Sequence, residues 1–106
     1  MKSWRYGLTV WAMLVSTAVM ADAVTPERQQ QLLHLLKQDC GSCHGMTLKG
    51  GLGPSLLPDR MAAIPRENLV NAIAKGRPGT PMPPWEKLLS PADIQWLAEQ
   101  LQQGVK

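Results

Sequence analysis

The sequence predicts an all-α fold, about three helices joined by two long loops. Three observations point to it. Three segments open with helix-start residues and carry leucine, isoleucine or valine at helical spacing. No alternating run rich in valine, isoleucine and threonine occurs beyond residue 21. The two stretches between helices hold too much glycine and proline to be regular.

The chain starts with a different pattern. Lys2 and Arg5 precede the uncharged run "YGLTVWAMLVSTAV", and "VMADA" offers small residues for cleavage after Ala21. A charged start, an apolar middle and a small-residue end define a secretory signal peptide. The apolar run falls short of the roughly 20 residues that a spanning helix needs. Residues 1–21 are therefore expected to be cleaved, leaving residues 22–106 as one exported, periplasmic domain. Removing Lys2 and Arg5 leaves 11 − 2 = 9 basic residues against 8 acidic ones, a net charge of +1. The basic precursor thus gives no support to nucleic-acid binding, which wants a clustered cationic face.

"TPERQQQLLHLLKQ" is the first helix, with Thr25 as N-cap, Pro26 in the first turn and Glu27 at the positive end of the dipole. Leu32, Leu33, Leu35 and Leu36 give it a broad apolar face, and His34 lies to its side, partly solvated. "IPRENLVNAIAKG" is the second helix, entered at Pro65 and stopped at Gly76. "SPADIQWLAEQLQQG" is the third, with Ser90, Pro91 and Asp93 forming a near capping box and Gly104 as its stop. The loops are "HGMTLKGGLGPSLLPDR" and "GRPGTPMPPW", long enough to call for a functional reason.

A domain of 106 − 21 = 85 residues without phenylalanine is poorly equipped to bury a core. Chains this small usually add a disulfide, a metal or a cofactor. The only cysteines, Cys40 and Cys43, stand three apart with His44 next in "QDCGSCHGM". A zinc site would need two more ligands at suitable spacing. A redox disulfide expects a βαβ setting, which is missing, and leaves the thin core unexplained. Covalent haem accounts for both. Cys40 and Cys43, one helical turn apart, can bond one porphyrin edge while His44 reaches the iron. The opposite face of the iron wants a soft ligand if the protein carries electrons. Met46 is too near His44 in the chain, and Met61 suits the core. Met82, in "TPMPPW", is held by prolines on an exposed loop and is the expected second axial ligand.

"CGSCHG", "GPSL", "GTPMPPW" and a closing amphipathic helix with Trp96 together resemble a class I cytochrome c. Within that family the chain is most similar to the small single-haem NirC-type cytochromes of denitrification, associated with cytochrome cd1 nitrite reductase. The resemblance implies a cytochrome c-like fold around one haem c and a carrier rather than an enzyme. It also implies that the Pro54 carbonyl orients the His44 ring. Electrons would pass to or for a cytochrome cd1-type nitrite reductase, by direct donation or in haem d1 maturation. Family members usually carry a glycine eight residues before the first cysteine and an aromatic four before it. This chain has Leu32 and Leu36 there, so a wider or shifted crossing of the first and last helices is expected.

The rival function is a haem protein with a displaceable sixth ligand, acting as a gas sensor or small peroxidase. Lys49, Lys75, Arg77 and Lys87 lie in or near the loops, either steering an acidic partner or forming a solvated rim.

Overall fold

Thr25 starts the first helix as its side chain predicts, its Oγ1 accepting the Arg28 N–H at 3.2 Å. The structure is a computed structural model that describes residues 12–15 and 24–105. The expected signal peptide and its cleavage point lie, apart from residues 12–15, outside the described residues. Helix α1 spans Pro26–Leu35 and does not end where its apolar pattern fades. It runs on through one π-helical turn, Leu36–Cys40, into the short helix α2, Gly41–His44. The Gly41 N–H reaches back to the Leu36 carbonyl, the five-residue step that marks the wider turn. Helical backbone is thus continuous from Pro26 to His44.

The stretch expected to be irregular before the second helix holds one helical turn, α3, Pro58–Met61. Pro58 is set for the first position, and Asp59 sits where the dipole favours an anion. Met61 is buried at 2% exposure, a core residue rather than a loop ligand. Helix α4, Arg66–Lys75, follows Pro65 and stops at Gly76. Helix α5, Pro91–Gln103, has a complete capping box. Ser90 Oγ accepts the Asp93 N–H at 3.1 Å, and the Ser90 N–H donates to Asp93 at 3.2 Å. No strand occurs among the described residues.

Helix α5 is the element on which the others pack: α1, α3 and α4 all contact it. Its stripe of Ile94, Leu97, Ala98 and Leu101 is buried, as the helical spacing requires. From α1, Leu32 and Leu36 enter the same core at 0% and 1% exposure. Ala98 is also at 0%, so α5 contributes a small, wholly buried residue to the core that its leucines share with α1. His34 stays exposed.

A long-range ion pair ties the starts of α1 and α5. Arg28 Nη2 donates to Asp93 Oδ2 at 2.7 Å, and its Nε lies 3.3 Å from both carboxylate oxygens. Asp93 is only 6% exposed, and it serves the cap and the pair together. The Arg28 hydrogen bond holds its carboxyl below the usual carboxylate range, against the opposing effect of burial, and the Ser90 N–H assists. A carboxyl whose folded value is lowered stabilises the fold above its unfolded value, about 3.9, and that contribution is lost as pH falls through the folded value. Asp93→Asn should therefore cost about 1–2 kcal/mol at neutral pH, read by urea unfolding. The gap between wild type and variant should close as the pH falls from the unfolded value, about 3.9, through the lower folded one.

Candidate functional site

Three elements meet at the motif that the sequence singles out. Cys40 closes the π-helical turn with helical backbone angles (φ −66°, ψ −41°), and Cys43 lies in α2. Three residues apart in helical backbone, they point to one side. Both thiols are free and half-buried. Ser42 Oγ donates to the Asp39 carbonyl at 2.7 Å and secures the turn between them. Burial pushes the Cys40 thiol up to about 11, with the Asp39 charge adding to the shift. A nucleophilic redox cysteine needs the opposite, a lowered value. No group of three or more His, Cys, Asp or Glu side chains gathers as a metal site among the described residues, so no zinc set forms around the pair.

His44 ends α2, and the chain then folds back beneath it. The Gly50 N–H donates to the His44 carbonyl and the Gly53 N–H to the Cys43 carbonyl, each at 2.8 Å. Leu48 anchors this return from a left-handed conformation (φ 61°), with its side chain in the core and its carbonyl accepting the Leu56 N–H at 2.9 Å. Such a backbone is costly for leucine and persists because the packing over-determines it. The fold-back brings Pro54 O to 2.7 Å from His44 Nδ1. A carbonyl only accepts, so Nδ1 carries a proton, and in the neutral ring Nε2 keeps its lone pair. Gly53 lies so close to the ring that an added Cβ would stand 2.7 Å from Cε1 and 2.8 Å from Nδ1.

Met82 occupies the other long loop and is half-buried. Both ends of that loop are fixed to the end of α4. Gly76 turns the chain at φ +67°, and a Cβ there would meet Met82 O at 2.6 Å. The Arg77 N–H donates to Met82 O at 3.2 Å, and Thr80 Oγ1 donates to the Arg77 carbonyl at 2.6 Å. Beyond Met82, the Trp85 and Glu86 N–H groups donate to the Ile73 and Ala74 carbonyls. Lys75 and Glu86 pair at 2.8 Å across the base. Met46, by contrast, is 61% exposed beside α2. Gly53 and Gly76 are the positioning residues that sequence reasoning missed. Gly76 was legible only as a helix stop, and the signal for Gly53 was its place immediately before Pro54.

Against a covalently attached haem, these residues fit in kind. Two same-side thiols, an imidazole with a free Nε2 and a thioether on a pinned loop form a suitable donor set. The ring is already oriented by a backbone acceptor, as ligating histidines usually are.

Comparison with known proteins points the same way. The family described as cytochrome C oxidase, cbb3-type, subunit III matches residues 27–100. Cytochrome c55X of Pseudomonas aeruginosa is 58% identical over 77 residues, which cover 73% of this chain. The match spans 65% of that protein, just under two thirds of its length. Among solved structures, the c-type cytochrome NirC superimposes with a TM-score of 0.74 at 56% identity, covering 76% of this chain and 95% of that one. Dihydro-heme d1 dehydrogenase NirN in complex with DHE gives a TM-score of 0.62 at 34% identity, over 67% of this chain and 15% of that one.

Gly53→Ala should drive the His44 ring off the Pro54 carbonyl. The expected result is loss of at least half of the low-spin haem absorbance per purified chain, measured beside a pyridine haemochrome count of total haem.

Proposed function

The chain belongs to the c-type cytochromes, whose domain carries one covalently bound haem c, and from that membership we propose that it is a single-haem electron carrier of the nitrite reductase system. When bound, the haem supplies one-electron exchange between ferric and ferrous iron. Cys40 and Cys43 hold it by thioether bonds. His44 Nε2 and Met82 Sδ would be the two side-chain atoms that ligate its iron. Pro54 O keeps the His44 proton on Nδ1, so the ring presents the same nitrogen in both oxidation states.

The observation that carries this reading is the 2.7 Å contact between His44 Nδ1 and Pro54 O. It leaves the histidine one free nitrogen and one fixed orientation. The attachments of the Met82 loop add support. A sulfur held between Gly76 and Trp85 needs little rearrangement when the charge on its partner changes. No nucleophile paired with a base is evident in the sequence, which agrees with a carrier rather than an enzyme.

Export through residues 1–21 belongs to the same reading, and places the carrier in the periplasm. Among the described residues no helix is long and apolar enough to cross a membrane. The likeness to part of dihydro-heme d1 dehydrogenase NirN supports a partner within haem d1 chemistry. A cytochrome cd1-type nitrite reductase is the acceptor proposed, with haem d1 maturation as the other route for the same electrons.

The test is Met82→Ala. The variant should lose the ferric thioether-to-iron charge-transfer band and gain carbon monoxide binding when reduced, while the wild type is indifferent to the gas. Carbon monoxide binding by the wild type at neutral pH would favour the displaceable-ligand alternative instead.

A further inference from the structure

The return of the chain beneath α2 hangs on one side chain. Across residues 45–54 only Leu48 is buried, at 7% exposure, and it belongs to the hydrophobic core. Met46, Thr47, Lys49, Leu52 and Pro54 all face solvent. The other positions, Gly45, Gly50, Gly51 and Gly53, have no side chain to anchor. Leu48 is also the only non-glycine residue with positive φ among the described residues (61°). A glycine would adopt that backbone without strain, so the leucine is explained by where its side chain goes and not by the turn it makes. Main-chain bonds leave it in both directions. Its N–H donates to the Gly45 carbonyl at 2.8 Å, and its carbonyl accepts the Leu56 N–H at 2.9 Å. They tie Leu48 to the residue that follows His44 and to the residue two beyond Pro54.

We propose that Leu48 is a positioning residue for the His44 ring: seated in the core, it holds the return segment where Pro54 O meets Nδ1 at 2.7 Å. It acts through the main chain. Without its side chain, residues 45–54 keep only main-chain hydrogen bonds in a glycine-rich, solvent-facing loop, and each such bond adds little net stability. The Nδ1–H then parts from Pro54 O more often. A hydrogen bond donated from the second ring nitrogen makes an imidazole a stronger ligand, and a stronger ligand favours ferric iron. Weakening that bond therefore raises the midpoint potential. This electronic consequence rests on His44 being an iron ligand, whereas the positioning of the ring does not.

The experiment compares the reduced holoprotein with Leu48→Ala, Leu48→Gly, Leu48→Met and a matched control, Leu69→Ala, which removes an equally buried leucine from α4. Solvent exchange of the His44 Nδ1 proton is followed by NMR, the midpoint potential by redox titration and stability by urea unfolding. Leu48→Ala should speed the exchange roughly tenfold and raise the potential, and Leu48→Met should restore most of both. Leu48→Gly should speed the exchange as much yet resist urea better than Leu48→Ala, because glycine relieves the left-handed strain. The glycine variant also decides the matter if the alanine variant does not fold. Leu69→Ala should lose stability while its exchange stays near the wild-type rate. Faster exchange at an unchanged potential supports the positioning role and counts against His44 as the iron ligand. Exchange that removal of the Leu48 side chain leaves unchanged, or that Leu69→Ala speeds equally, overturns the proposal.

Discussion

The position of the His44 ring is set by main chain on two sides, and much of the structure serves that constraint. Pro54 O fixes one nitrogen, and Gly53 lets the ring lie where any larger residue would put a Cβ 2.7 Å from it. Both contacts exist only because residues 50–54 fold back under α2 through hydrogen bonds to the Cys43 and His44 carbonyls. That fold-back depends on Leu48, whose buried side chain fastens the loop to the core at the expense of a left-handed backbone. The histidine is held through the packing of leucines some distance from it. Side-chain hydrogen bonds alone would allow it more freedom, since each adds only about 1 kcal/mol net.

The methionine side is built differently. Its loop makes few contacts of its own and borrows rigidity from α4, whose last carbonyls are satisfied by the returning chain at Trp85 and Glu86. Prolines on both sides of Met82 limit its backbone, and Gly76 lets the strand of loop lie against the helix end. The exposed pair between Lys75 and Glu86 adds little to this, because solvent screens it. One loop is thus tightly determined and the other more loosely tethered.

Helix starts were the most legible part of the sequence, because their signals are local. Thr25 with Pro26, and Ser90 with Pro91 and Asp93, act within four residues, and both caps form as read. The buried stripe of α5 follows from spacing alone. The single turn at Pro58–Met61 was hidden by the glycines and prolines around it, which read as loop over the whole stretch. Arg28 and Asp93 could not be paired from the sequence, since 65 positions separate them and each already has a reason to stand near a helix start. At the site, the residue types were readable and the close approaches were not. A glycine announces freedom of backbone, but only the fold tells which ring or carbonyl comes within reach of its missing Cβ.

The wide turn between Leu36 and Cys40 has an evolutionary corollary. A π-helical turn takes up one residue more than α geometry requires and confines the excess to a few hydrogen bonds. The leucine stripe above it and the paired thiols below it therefore keep the rotational phase of a helix one residue shorter. A homologue lacking that residue would superimpose on both sides of the turn with an unbroken ladder. The spacing between the core and the attachment motif is thus a length this scaffold can vary without re-aiming its chemistry.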